Sequence, residues 1–144
     1  MIYTMYNLAH KLNNMGVPVL PRAVSRLIRI AFSCSIPPTA VIGGGTILGY
    51  GGLGIVIHSR AIIGKHCVIS PHVVIGGTSQ KRDVPIIGNN VHIGAGAKIL
   101  GPVEIGDNVV IGANSVVLSS VESNTLVAGV PAKVIKRQID ASKY

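Results

Sequence analysis

Five histidines, His10, His58, His66, His72 and His92, are the side chains of this 144-residue sequence suited to moving a proton near neutral pH. Imidazole's ordinary pKa of about 6.5 lets it both take and give one. Five carboxylates accompany them, Asp83, Glu104, Asp107, Glu122 and Asp140. An imidazole that needs a carboxylate to orient it therefore has few partners to choose from. Cys34 and Cys67 are too few for a disulfide framework and are expected to be buried thiols in a reducing compartment. The glycine-rich run from Gly43 to Gly52 has no GKS or GKT after it, so it is expected to form turns and not a phosphate cradle.

The elements that must position these residues follow a period of six. Ile57, Ile63, Ile69 and Ile75, then Ile87, Ile93, Ile99, Ile105, Ile111 and Val117, keep one frame. Four places after most of them sits a small or β-branched residue, among them Ala61, Cys67, Val73, Val91, Ala97, Val103, Val109 and Ser115. This period fits neither a helix nor a long alternating strand, and a fixed repeat signals a solenoid. The frame breaks twice. Lys81 would fall in a core slot, so Gly77 to Asp83 is expected to loop out, and the frame slips by three between Leu48 and Ile57, which marks Tyr50 to Ile55 as irregular. Function on regular scaffolds tends to sit in such loops. In this frame His58 points out of the core beside the irregular segment, His66 and His72 occupy successive bends, and His92 faces outward from a flat side. His10 lies on a helix.

Before the repeat, Ile2 to Asn14 shows helical spacing that ends at Gly16 and Pro18, and a second helix is predicted from Pro21 to about Phe32. It places Val24, Leu27, Ile28 and Ala31 on one side and Arg22, Arg26 and Arg29 on the other. The first 36 residues hold four basic side chains and no acid. The expectation is a cap helix, with a basic surface over residues 21–32 available for peripheral membrane contact. The tail from Ser119 is expected to be helix-like or irregular, and Gln138 to Tyr144 to be frayed. Three segments result: residues 1–36, residues 37–121 with a loop at 77–84, and residues 122–144. Hydrophobic residues make up 48%, with one phenylalanine and no tryptophan, which suits a core of stacked short strands. No apolar run of eighteen residues occurs, and a cytoplasmic chain is expected. The net charge of +8 argues for an anionic partner, but aromatics are too scarce for single-strand nucleic-acid binding.

The run from Ile87 to Val117, "IGNNVHIGAGAKILGPVEIGDNVVIGANSVV", with "VAGVPAKVIK" from Val127, resembles the hexapeptide-repeat acyltransferases, and most of all their serine acetyltransferase branch. The resemblance implies an all-β left-handed parallel β-helix assembled as a homotrimer, active sites between subunits, and acetyl-CoA as co-substrate along the coils. It also implies direct acetyl transfer with a histidine as base. The sequence departs from that branch at "GYGGLGIVIH", where Tyr50, Gly51 and Gly52 stand in place of an Asp-His pair, and at Val84, where a second histidine belongs. Short chains of this kind resemble the O-acetyltransferases of surface polysaccharide and lipopolysaccharide pathways. A glycan or sugar hydroxyl is accordingly the expected acceptor, with serine as the alternative and a non-catalytic scaffold as a further one.

Under that resemblance His58 is the first candidate base and His72 the second. Asp83 is the carboxylate partner, from the same or a neighbouring subunit, and Tyr50 and Arg82 are acceptor contacts. Gly94, Ala95, Ala113 and Asn114 are expected beside the pantetheine arm, with Lys133 and Lys136 near the phosphates. A zinc hydratase with this fold needs three histidines on one ion. His66 and His72 would lie on the order of 15 to 20 Å apart at roughly 3.3 Å per strand residue, so no metal is expected within one subunit.

Overall fold

The structure, a computed structural model, describes residues 1–144. Each hexad supplies one or two β-branched residues and then a turn, so its strand is two or three residues long and the chain bends after each one. About four coils stack into three parallel sheets, which form the faces of a prism. The first face holds Val41–Ile42, Ile62–Ile63, Ile86–Ile87 and Glu104–Ile105. The second holds Ile47–Leu48, Val68–Ile69, His92–Ile93 and Val110–Ile111, and is extended by Thr125–Gly129 and Ala132–Arg137. The third holds Val56–Ile57, Val74–Gly76, Lys98–Leu100 and Val116–Val117. Pairing is in register from coil to coil, as in Val74 with Lys98 and Lys98 with Val116. That register turns one aliphatic residue per strand inward, in most strands an isoleucine, and each of those from Ile57 to Val117 is buried, while their strand neighbours Ile47, Ile62 and Ile86 face out. Each inward residue contributes about 1.5–3 kcal/mol by leaving water.

Three columns of turns join the faces. The first corner, between faces one and two, contains His66. The second, between faces two and three, contains Tyr50, His72, Ala95 and Asn114. The third, between faces three and one, contains His58 and the long loop. At the first and second corners, apart from the longer turn at Tyr50 to Gly54, one residue per turn is left-handed. His66 and His72 occupy those places with φ of 54° and 60°, where other coils use asparagine or glycine. The small residues of the repeat fill the corner interiors, and burial pushes the Cys67 thiol up from its ordinary pKa.

Two helices, α1 (Ile2–Asn14) and α2 (Leu20–Phe32), close the open end of the coil. Ile2, Tyr6 and Ile28 join the coil's core. The Tyr6 hydroxyl donates to the Ala40 carbonyl and accepts from the Ile42 N–H at 3.1 Å. Burial pushes its pKa up to about 12. α2 presents a different face from the one its spacing suggested. Pro21 and Ile28 are buried and Val24 and Phe32 pack on the core, while Leu27 and Ala31 are exposed. The helix is set by its N-terminal Pro21 and by the Ser25 hydroxyl, which donates to the Ile36 carbonyl at 3.0 Å.

The tail also differs from expectation. Thr125–Gly129 continues the second face in parallel and Ala132–Arg137 returns beside it in antiparallel, with a register shift between Leu126 and Val127. The last residues are docked and not frayed, since Ile139 and Ala141 are buried against Val110 and Leu126. No helix is long and apolar enough to cross a membrane.

Candidate active site

The expected site residues divide between two corners. At the third corner His58 is half-buried, and its Nδ1 accepts the Arg60 N–H at 3.1 Å. That bond leaves the proton of the neutral ring on Nε2, so the free edge of His58 is a hydrogen-bond donor. The loop of residues 77–85 leaves the same corner one coil further on. Gly77 passes His58 closely enough that a Cβ there would lie 4.0 Å from the ring. The Arg60 guanidinium donates to the Arg82 carbonyl and so ties the loop to the coil. The Arg82 and Asp83 side chains are exposed. Asp83 makes no ion pair within the chain, whose one ion pair joins Arg137 to Glu122. One copy of the chain therefore places His58, Arg82 and Asp83 on the same corner, with no bond between Asp83 and an imidazole.

The second corner carries the other set. Tyr50 lies in the short turn Gly49–Gly52 with φ of 50° and is 88% exposed, so it projects freely. His72 sits one coil on. Its N–H donates to the Leu53 carbonyl at 2.9 Å, and its ring lies against Gly54, where a Cβ would come within 2.2 Å of Nδ1. Only glycine lets the ring settle there, and the ring nitrogens have no partner in the chain. Lys98 fastens the His72 backbone to the next coil, donating to its carbonyl at 3.1 Å and to that of Gly96 at 2.6 Å. Gly94, Ala95, Ala113 and Asn114 continue the column. The Asn114 N–H is bonded to the Ala95 carbonyl at 2.8 Å, whereas the N–H groups of exposed Ala95 and Ala113 make no bond within the chain. Two free donors in a line, flanked by small side chains, are what an extended amide-bearing ligand needs.

The hairpin ends this column. The Gly129 N–H donates to the buried Ser115 hydroxyl at 3.1 Å, so a polar residue in the small-residue frame holds the turn before Ala132. Lys133 and Lys136 pair with Ala128 and Leu126, which point away from the core, and so share one exposed face. Ser115 and Arg60 were not singled out in the sequence. The serine among Ala, Cys and Val in the inward slot was the available signal for the first, and none marked the second.

The remaining histidines lie elsewhere. The His10 Nδ1 lies 2.8 Å from the Pro38 carbonyl. His66 and His92 line a cleft of about 470 Å³ beside Asn90, Asn108 and Ser142, and the His92 Nδ1 lies 3.2 Å from the Tyr144 carbonyl. No three His, Cys, Asp or Glu side chains are grouped to hold a metal ion.

Comparison with known proteins agrees with this architecture. Residues 85–119 match the family described as bacterial transferase hexapeptide, six repeats. The chain is 43% identical to the serine acetyltransferase of Synechococcus elongatus over 134 residues, which is 92% of this chain and 54% of that protein. It is 43% identical over 132 residues to a serine acetyltransferase of Staphylococcus aureus (strain Mu50), covering 90% of this chain and 62% of the relative. The crystal structure of serine acetyltransferase from Vibrio cholerae superposes with a TM-score of 0.90 at 37% identity, covering 97% of this chain and 55% of that one. A serine acetyltransferase in complex with CoA gives a TM-score of 0.86 at 37% identity, covering 93% and 55%. The chain thus spans about half the length of these relatives. The expected glycan or sugar acceptor is corrected by these similarities, which run to serine acetyltransferases even though Tyr50, Gly51 and Gly52 stand in place of the Asp-His pair.

Proposed function

The chain belongs to the hexapeptide-repeat, left-handed β-helix acyltransferases, in their serine acetyltransferase-like branch, and from that premise we propose that it transfers acetyl from acetyl-CoA to the hydroxyl of serine. The observation that carries this reading is the likeness to serine acetyltransferases over about nine-tenths of the chain, one of them a complex with CoA. The second corner supports it, because its unpaired Ala95 and Ala113 N–H groups suit the amide carbonyls of a pantetheine arm. Gly94 and Asn114 flank that line. Lys133 and Lys136 offer charge to the phosphates from the hairpin face beyond it.

Proton transfer falls to His72 in this reading. Its ring is exposed and unbonded on the corner that holds the proposed acetyl-CoA groove, so it takes the serine hydroxyl proton as the oxygen attacks the thioester carbonyl. The C–S bond then breaks, and the proton passes from His72 to the departing thiolate. His58 cannot take that part while its Nδ1 accepts from Arg60, since Nε2 then already bears a hydrogen. It serves as the donor to the oxyanion that develops on the thioester oxygen. Because His58 and His72 lie on different corners of one copy, the reading includes a homotrimer. Its interfaces bring the third corner of one copy, with His58, Arg82 and Asp83, to the second corner of the next, with Tyr50 and His72. Tyr50 and Arg82 then contact the amino acid. A cytoplasmic location fits the buried, unpaired Cys34 and Cys67.

The test is thiol release from acetyl-CoA with L-serine as acceptor, and detection of O-acetylserine by mass. Serine-dependent release supports the reading. Acetyl-CoA binding without release would indicate a scaffold that lost its chemistry with the Asp-His pair.

A further inference from the structure

α2 exposes more than a cap needs to. At about 100° per residue its residues fall into three sectors. Pro21, Val24, Ile28 and Phe32 face the core. Arg22, Arg26 and Arg29 form a second sector, all exposed and none in an ion pair. Leu20, Ala23, Leu27 and Ile30 form a third, turned away from the protein, with Leu20, Leu27 and Ile30 exposed by 50%, 54% and 80%. Val19, just ahead of the helix, is 72% exposed. The stripe runs for about 15 Å at 1.5 Å per residue. A continuous apolar stripe beside a row of cations has the composition of a surface with a partner.

We propose that this partner is an anionic lipid surface, on which α2 lies with Leu20, Leu27 and Ile30 inserted and its arginines among the headgroups. Charge decides for that occupant. No carboxylate occurs before Asp83, while eight of the thirteen lysines and arginines lie in residues 1–82. Laying α2 of a second copy on this face would set arginines against arginines with no acid of the helical segment to neutralise them. A bilayer rich in anionic lipid neutralises all three while it buries the stripe, which is how an interfacial amphipathic helix binds. Each arginine at such a surface strengthens partitioning about fivefold. The inference stands apart from the acetyl-transfer reading, since none of these residues belongs to either corner.

The test is flotation of the whole chain with vesicles of pure phosphatidylcholine and of phosphatidylcholine mixed with phosphatidylglycerol. Binding to the mixed vesicles alone is expected. R26Q/R29Q should weaken it about 25-fold, from about fivefold per charge. Ile30→Ser should weaken it as well, and its exposure keeps the fold intact, as circular dichroism would report. No excess binding to anionic vesicles overturns the proposal. Binding that Ile30→Ser leaves unchanged also overturns it, because another basic face would then be responsible. So does self-association in lipid-free buffer that Ile30→Ser dissolves, since a second copy would then cover the stripe.

Discussion

The second and third corners are built from the same hexads yet are equipped for different work. At the second, the strict repeat survives above the Tyr50 turn, and the corner becomes a straight column with free N–H donors at Ala95 and Ala113 and an unbonded ring at His72. At the third, the repeat opens into residues 77–85, and the imidazole is tied: His58 Nδ1 is held by the Arg60 N–H while the Arg60 side chain holds the loop. Regularity supplies a groove and irregularity supplies a clamp. In the proposed reaction the two histidines accordingly take opposite parts, His58 as donor because its Nδ1 is occupied by the Arg60 N–H and His72, whose ring is unbonded, as acceptor.

The largest expected effect is on the second corner. His72→Ala should lower kcat by about 10²–10⁴ with acetyl-CoA affinity nearly unchanged, and a variant that keeps most of its turnover breaks the assignment of the base. His58→Ala should cost about 10²-fold in kcat, the scale of one oxyanion donor. An effect larger than that of His72→Ala would reverse the two roles. Lys133→Glu should raise the acetyl-CoA dissociation constant about fivefold at low ionic strength, with the difference shrinking in salt, and titration calorimetry reads it directly. An unchanged constant removes the hairpin face from the groove.

The smallest effect on the site belongs to Tyr6, which serves both corners only by closing the coil. Tyr6→Phe should cost about 1–3 kcal/mol of stability by leaving the Ala40 carbonyl and the Ile42 N–H without their buried partner. The folded phenol titrates at about 12 against 10.0 for the free group. The unfolded chain therefore releases this proton first, and stability falls as pH rises through that window. Denaturant midpoints should drop above pH 10 in the parent chain and less steeply in Tyr6→Phe. Parallel curves would show that Tyr6 does not carry the linkage.

Much of the scaffold was legible in the sequence because each inward aliphatic residue is fixed by its own hexad, from Ile57 to Val117. The misfit of Lys81 likewise marked the loop, and the three-residue slip marked the turn at Tyr50. What escaped was set by contacts that no period records. The hairpin Thr125–Gly129 and Ala132–Arg137 depends on a register shift at Leu126 and on a bond to Ser115. The exposure of Leu27 follows from how Pro21 and Ser25 seat α2. The proton state of His58 depends on one backbone N–H two residues away, so a sequence that ranks His58 by its position cannot rank it by its tautomer. The acceptor was misread for a related reason. The loss of the Asp-His pair at Tyr50 to Gly52 outweighed, in the sequence, a likeness that spans the remaining coils.

Complementation between inactive copies tests the shared site most directly. His72→Ala and His58→Ala chains, dissociated together in equal amounts and allowed to reassemble, should regain roughly a quarter of parental turnover with serine, since random pairing restores both histidines at one interface in four. Mixed trimers verified by native mass spectrometry that stay as inactive as their parents would mean that His58 and His72 do not meet across an interface.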